Sequence, residues 1–113
     1  ALVDNRCRVE RVDFFDSRPA AGSTRCDLLV ATDILFERQL AQPVLDTIDH
    51  YLAHDGDAVL ADPCRETAEA FEALLRDSAW AWSKTCFDLE VLKDFGLAAP
   101  EKPVAVYHLH RGK

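Results

Sequence analysis

Two acidic residues stand where apolar segments of the sequence end. Asp33 follows the run Leu28–Thr32, and Asp62 follows the run Ala58–Ala61. Both runs are apolar without alternation, which is typical of strands covered on both faces in a parallel sheet. Ligands of such sheets bind beyond the carboxyl ends of the strands, where a few polar groups fix their orientation. The sequence therefore predicts a small-molecule site with Asp33 at its mouth.

Each of these carboxylates also has a structural interpretation. Asp is a favoured helix N-cap, and Glu37 lies close behind Asp33, so Asp33 could simply begin the next helix. Asp62 precedes Pro63, which favours a strand-end and turn residue over a catalytic one. The sequence alone leaves both interpretations open.

The remaining reactive side chains form no regular pattern. His108 and His110 share one strand face, but they lack a third ligand nearby, so we predict no metal site. His50 and His54 lack the glutamate of a helical zinc motif and are expected at the surface. The four cysteines contain no C-x-x-C pair, which predicts reduced and mostly buried thiols.

The composition is that of a globular protein and argues against nucleic-acid or membrane binding. The 113 residues are enough for one domain, and 49% of them are hydrophobic, as in ordinary globular proteins. The formal charge of −7, with 13 dispersed basic residues, argues against a nucleic-acid surface. Because no apolar run approaches the length of a membrane span and no signal pattern is present, we expect a cytoplasmic location and no membrane contact.

Seven elements are predicted along the chain. The helix Arg38–His54 carries an apolar stripe with Pro43 near its first turn, and Asp55-Gly56 is expected to end it through a left-handed glycine. This order predicts an α/β domain with a mostly parallel sheet and an antiparallel edge strand. The predicted strands are Val9–Phe14, Leu28–Thr32, Ala58–Ala61, Trp82–Leu89 and Val104–Leu109, and the helices are Arg38–His54 and Glu66–Ser78.

Four segments resemble a known family in order and spacing. They are "VDFFD", "DLLVATDILFE", "GDAVLADPCR" and "PVAVYHLHR". They are similar to the C-terminal portion of the class I, seven-strand S-adenosylmethionine-dependent methyltransferases, which have a Rossmann-like sheet. The nearest branch resembles methyltransferase family 16, with its protein-lysine and nicotinamide N-methyltransferase-like enzymes. The most specific element is the acidic-x-x-aromatic signature from Asp33 to Phe36.

The resemblance implies a function and a set of site residues. It implies an S-adenosylmethionine-dependent N-methyltransferase that acts on a protein lysine or a small-molecule amine. Asp13, Phe14, Ala31 and Asp33 would bind the cofactor, and Phe14 would supply an apolar wall where the family commonly has tryptophan. Asp33 and Phe36 would be the catalytic residues, because an acid can orient an amine and an aromatic face can pack against a positive centre.

The chain also departs from this family. It has four glycines, of which no two are close enough to form a G-x-G loop, and it contains no methionine. We therefore expect residues 1–113 to be a single incomplete domain that lacks the glycine-rich first strand-loop-helix. In the family's strand order 3-2-1-4-5-7-6, four strands of this chain would still pair, whereas Val9–Phe14 would have no neighbour. The exposed edge would favour self-association, and an inactive interaction module is the alternative function.

Overall fold

The computed structural model describes residues 11–16, 25–87 and 103–112. Within these ranges, four strands form one sheet in the order β1-β2-β4-β3. β1 pairs with β2 in parallel, and β4 pairs antiparallel with both β2 and β3. The strands are β1 (Cys26–Thr32), β2 (Leu52–Asp62), β3 (Trp80–Phe87) and β4 (Val104–Arg111), and the helices are α1 (Ala41–Tyr51) and α2 (Ala68–Arg76).

The predicted α/β class with a mixed sheet is confirmed, and so is the contiguous pairing of four strands. Three of the four strands run in the same direction. The predicted position of the antiparallel strand at the edge is wrong: the antiparallel strand is β4, which lies inside the sheet between β2 and β3, and β3 is at the edge. Since β1 and β2 are parallel neighbours, their carboxyl ends lie at the same edge of the sheet.

Both described helices cover the same face of the sheet. α1 presents Val44 and Ile48 to β1, and α2 presents Phe71, whose ring meets Tyr107 of β4 edge-on with centroids 5.9 Å apart. These side chains belong to one buried hydrophobic cluster, because each helix presents its apolar stripe to the sheet. The opposite face of β1 leaves Leu28 and Val30 more than half exposed.

The predicted helix Arg38–His54 is wrong at both ends. Arg38–Leu40 form a short 3-10 turn before α1, and β2 begins at Leu52 directly after the helix. Leu52 is fully buried and pairs with Cys26, so sheet pairing overrides the helical periodicity at this point. The Cys26 thiol donates a hydrogen bond to the Tyr51 carbonyl (3.3 Å), which satisfies one of the last carbonyls of the helix.

Gly56 does not end a helix, contrary to the prediction. It lies inside β2, beside an irregularity where the pairing jumps from Cys26–Leu52 to Leu28–Asp57. A Cβ atom on Gly56 would lie 2.9 Å from the Asp27 carbonyl oxygen and 2.9 Å from a methyl carbon of Leu52. Gly56 is therefore required by close packing of backbone, not by a left-handed conformation.

The predicted strand Val9–Phe14 is also wrong over its described part. Asp13 begins a tight turn, in which the Asp16 amide donates to the Asp13 carbonyl at 3.1 Å. None of the described strands pairs with this segment. Residues 9 and 10 lie outside the described part of the chain. Among the described helices, none is long and apolar enough to cross a membrane.

Candidate functional site

The predicted meeting of two acidic strand ends is present. Thr32 pairs with Ala61, and the Asp33 amide donates a hydrogen bond to the Ala61 carbonyl at 3.2 Å. Asp33 adopts the left-handed conformation (φ 57°), as does Cys64 shortly after β2 (φ 58°). Non-glycine residues rarely adopt this conformation. It changes the direction of the backbone after β1 and again after β2. We call this edge, with Asp33, Asp62 and Arg65, the rim.

Arg65 connects the two carboxylates of the rim. Its Nη2 donates a hydrogen bond to Asp33 Oδ1 at 3.2 Å, and its backbone amide donates to Asp62 Oδ2 at 2.8 Å. The side chain of Asp33 is 66% exposed, whereas that of Asp62 is 1% exposed. One carboxylate is therefore available to a ligand, and the other is enclosed by the protein.

Asp33 does not cap a helix. The residue that precedes the 3-10 turn is Glu37, whose side chain makes no capping hydrogen bond. The Asp33 carboxylate points instead to Arg65, on the loop after β2. This excludes the N-cap interpretation. Asp62 has the predicted structural role, since it ends β2 and stabilises the following turn through the amide of Arg65.

An apolar cavity lies beside the rim. Its volume is about 300 Å³, and it separates the segment around Phe14 from β1 and α1. Two predicted cofactor residues, Phe14 and Ala31, line it together with Ile34, which directly follows Asp33. The remaining lining side chains come from β1, α1 and the segment before Asp13: Val12, Cys26, Leu29, Val44, Thr47, Ile48 and Tyr51.

Three predicted site residues do not line this cavity: Asp13, Asp33 and Phe36. Asp13 is exposed, and its Oδ1 accepts a hydrogen bond from the Phe15 amide at 2.9 Å, so its carboxylate serves the local turn. Phe36 is 55% exposed and lies in the loop after Asp33. The structure thus brings together Phe14 and Ala31, whereas Asp33 and Phe36 lie on the loop that follows β1.

Arg65 is the rim residue that sequence reasoning missed. It is the last residue of the segment "GDAVLADPCR", to which the sequence pattern assigns no role. The available signal was its position three residues after Asp62, where it can turn back towards the strand end. A side chain with five N–H donors in a rigid fork can serve two carboxylates from that position.

A second polar cluster lies on the helix-covered face near β3. Glu72 of α2 accepts hydrogen bonds from Lys84 (2.7 Å) and from the Tyr107 hydroxyl (3.2 Å). Burial, reinforced by the negative charge of Glu72, raises the pKa of Tyr107 to about 12. The hydrogen bond with Glu72 is the main cause that raises the pKa of Lys84. Both groups are therefore fixed in their protonated forms at neutral pH, which indicates a structural role.

The cysteines differ in part from the prediction. Cys26 is half-buried, but Cys64 and Cys86 are exposed, and all three are free. Cys7 lies outside the described part of the chain. Partial desolvation of the thiol, followed by the effect of neighbouring Cys86, raises the pKa of Cys64. Because the thiolate is the nucleophilic form, Cys64 is a poor candidate for a nucleophile of the rim.

The predicted histidine pair lies on β4, towards the end of the sheet that is opposite the rim. His108 and His110 are on the same face of β4, with ring centroids 5.6 Å apart, and His108 Nε2 is 2.8 Å from Asp57 Oδ1. They border an open cleft of about 430 Å³ that His54 also lines. Over the described residues, no group of three or more His, Cys, Asp or Glu side chains could hold a metal ion.

Comparison with known proteins identifies similar solved structures. One is an rRNA methylase from Streptococcus thermophilus, with 10% identity over 80% of this chain and 49% of its own, and a TM-score of 0.49. Another is the plantazolicin methyltransferase BpumL in complex with SAH, with 11% identity over 90% of this chain and 57% of its own, and a TM-score of 0.49. The chain spans about half the length of these structures. No family model and no curated protein matches it.

Proposed function

We propose that this chain carries the acceptor side of an S-adenosylmethionine-dependent N-methyltransferase site whose acceptor is a protein lysine or a small-molecule amine. The observation that carries the proposal is the exposed Asp33 carboxylate, at the end of β1 and above an apolar cavity. The strand order β1-β2-β4-β3 supports it, because it agrees with strands 4-5-7-6 of the family that the sequence resembles. The N-methyl specificity rests on the resemblance of residues 33–36.

The residues around the cavity fit the adenine part of the cofactor. An adenine ring is flat and largely apolar on its faces, and Phe14, Ala31 and Ile34 offer an apolar surface next to the rim. S-adenosylmethionine, when bound, supplies a methyl group activated on a positively charged sulfonium. A carboxylate such as Asp33, placed beside that cavity, favours a positively charged ligand at the rim.

Asp33 and Phe36 have distinct proposed roles. The Asp33 carboxylate accepts hydrogen bonds from the amine and orients its lone pair, which accelerates a displacement reaction by positioning. It can also hold the proton that the amine loses. Phe36 lies three residues away with 55% of its surface exposed, so its ring is available to pack against the acceptor.

Calorimetric titration of the chain with S-adenosylmethionine, and with its demethylated product, tests the proposal. We expect saturable binding heat that Ala31→Leu abolishes, because the larger side chain fills the cavity. Ala61→Leu is the matched control, since Ala61 is half-buried on the neighbouring strand but points to the opposite face. Equal binding by both variants would contradict the assignment of this cavity, and absence of heat with the unmodified chain would contradict the proposed function of the chain itself.

A second candidate function is an interaction module without catalysis. The observation that favours it is the uncovered face of β1, where Leu28 and Val30 are 60% and 65% exposed. Large apolar side chains that adjoin on one surface mark interaction sites in soluble proteins. Under this alternative, cofactor titration gives no heat, and polar substitutions of Leu28 and Val30 reduce association with the partner or with a second copy.

A further inference from the structure

The rim contains an unusual pair of unsatisfied buried atoms. Asp62 Oδ1 and Arg65 Nη1 each lack a hydrogen bond, although they are buried and only 3.8 Å apart. A hydrogen bond between such groups requires about 2.7–3.2 Å, so the two atoms face each other just beyond bonding distance. Leaving a buried polar atom unpaired costs on the order of 1–3 kcal/mol, more when it is charged.

Arg65 lies between the two carboxylates, and its ion pair with Asp62 (3.8 Å) is too long for a hydrogen bond. Its Nη2 bonds to Asp33 Oδ1 at 3.2 Å, and the Asp33 side chain is 66% exposed. An exposed ion pair of this kind contributes only about 0–1 kcal/mol. A shift of the guanidinium by about 1 Å would replace this weak exposed ion pair with a hydrogen bond to a buried carboxylate. By these magnitudes the two arrangements of Arg65 differ in free energy by a few kcal/mol at most, so a ligand that competes for Asp33 can change which arrangement is populated.

From this geometry we propose that Arg65 is an exchangeable counterion that selects a cationic acceptor at Asp33. Without a ligand, Arg65 pairs with Asp33. When an alkylammonium group binds the Asp33 carboxylate, Arg65 moves to Asp62 and satisfies both unpaired atoms. The inference rests on the proposed function, because it identifies the acceptor class of the same site as an amine that binds as its ammonium form. The amine becomes nucleophilic after it transfers one proton to the Asp33 carboxylate.

The arrangement explains discrimination against neutral ligands. A neutral hydroxyl or amide cannot replace the positive charge that Arg65 provides to Asp33, so displacing Arg65 would leave that carboxylate without a counterion. An ammonium group replaces the charge, and the new hydrogen bond between Arg65 and Asp62 offsets the broken ion pair with Asp33. Arg65 is thus a positioning residue that acts through Asp33 and does not need to touch the ligand.

The test measures the binding of two probes to the chain by NMR, without any cofactor. The probes are n-butylammonium and its neutral counterpart, n-butanol. We expect Asp33→Asn to abolish n-butylammonium binding. Arg65→Gln removes the competing cation and should tighten binding by about two- to fivefold, in line with the strength of an exposed ion pair. Asp62→Asn removes the alternative partner of Arg65 and should weaken binding by a similar factor.

Electrostatics without exchange gives the same two signs, because removing a nearby positive charge favours a bound cation and removing a nearby negative charge disfavours it. The two variants therefore test the charges of the rim, and the solvent protection of Arg65 in the bound state tests the exchange. Equal binding by Asp62→Asn and the unmodified chain would overturn the proposal, and so would binding of n-butanol as tight as that of n-butylammonium. Asp46→Asn on α1, where Asp46 is exposed and bonds only locally to Gln42, is the matched control for loss of one charge.

A measurement on the unmodified chain keeps the test independent of variant folding. Saturation with n-butylammonium should slow hydrogen exchange of the Arg65 guanidinium protons, because they then bond to a carboxylate that is 1% exposed. Faster exchange would mean that Arg65 is released to solvent, and the proposal would be wrong. Since no cofactor is present, failure of this test is distinguishable from failure of the methyltransferase proposal, which cofactor binding decides.

Discussion

The Tyr107 hydroxyl of β4 donates a hydrogen bond to Glu72 of α2 at 3.2 Å, deep in the interface between the sheet and the helix. Glu72 is 8% exposed and also accepts from Lys84 of β3 at 2.7 Å, so one carboxylate connects three elements. The ring of Tyr107 meets Phe71 edge-on on the same side. This cluster connects α2 to the sheet. Because Tyr107 and Lys84 lose their protons at alkaline pH, the free energy of unfolding of the chain should depend on pH in that range.

We expect the free energy of unfolding to fall between pH 10 and 12. The pKa of Tyr107 is raised from 10.0 to about 12 in the folded chain, so its stabilising contribution is complete below pH 10 and is lost as pH rises towards 12. The shift corresponds to about 2–3 kcal/mol at most. The raised pKa of Lys84 acts in the same direction.

Urea denaturation at a series of alkaline pH values measures this effect. Tyr107→Phe removes the titrating group and should flatten the decline, whereas Tyr51→Phe on α1 serves as a control that retains the steep decline. A decline of equal steepness in Tyr107→Phe would show that other groups cause it.

Phe71→Ala should be among the most destabilising single substitutions. Phe71 is fully buried between α2 and β4, and truncating such a side chain costs about 3–5 kcal/mol through reduced burial and the cavity left behind. Phe15→Ala is the matched control, because Phe15 is 69% exposed and should change stability by less than about 0.5 kcal/mol. Thermal unfolding of the two variants checks the contrast, which similar losses of stability would contradict.

The fold was largely predictable because its apolar patterns are local. Continuous apolar runs identified the cores of β1 and β2, and the stripe of α2 contained Phe71 and Leu75, both buried. Element boundaries failed where pairing with a distant segment decided the outcome. Leu52 continues the helical stripe of α1, but its pairing with Cys26 places it in β2. That pairing joins residues far apart in the sequence, which periodicity cannot detect.

The candidate site was predictable only in part, for a similar reason. Strand ends are visible in the sequence, and Asp33 and Asp62 do lie at the same edge of the sheet. The orientation of a side chain is not visible, so the bond between Arg65 and Asp33, 32 residues away, could not be foreseen. Likewise, the turn at Asp13 is formed by local hydrogen bonds from the Phe15 and Asp16 amides to the carboxylate and carbonyl of Asp13, which an apolar pattern does not reveal.

Gly56→Ala should destabilise the chain by about 1–3 kcal/mol, in the range expected for overpacking a close contact. The added Cβ would lie within 3.1 Å of the Cys26 carbonyl oxygen and 2.9 Å of the Asp27 carbonyl oxygen, so two backbone segments would have to separate. Asp55→Ala, at the exposed neighbouring position, introduces the same residue without the close approach. Chemical denaturation should therefore show a lower midpoint for Gly56→Ala only, and an unchanged midpoint would mean that the irregularity in β2 can relax at no cost.

Because β1 lies at an open edge of the sheet, we expect the chain to self-associate through β1. In the described part of the chain, β1 pairs only with β2, and its free edge carries Val30 with 65% of its surface exposed. An antiparallel pair of two β1 strands centred on Leu29 would place Leu28 opposite Val30 of the partner subunit, which buries apolar surface on both copies.

Val30→Lys should therefore shift the chain towards monomer in sedimentation velocity over a concentration series, because a lysine on an edge strand opposes pairing. Thr85→Lys is the matched control, since Thr85 is exposed on the same face of the other edge strand, β3. If Thr85→Lys dissociates the copies and Val30→Lys does not, the association uses β3, and the β1 interface is wrong.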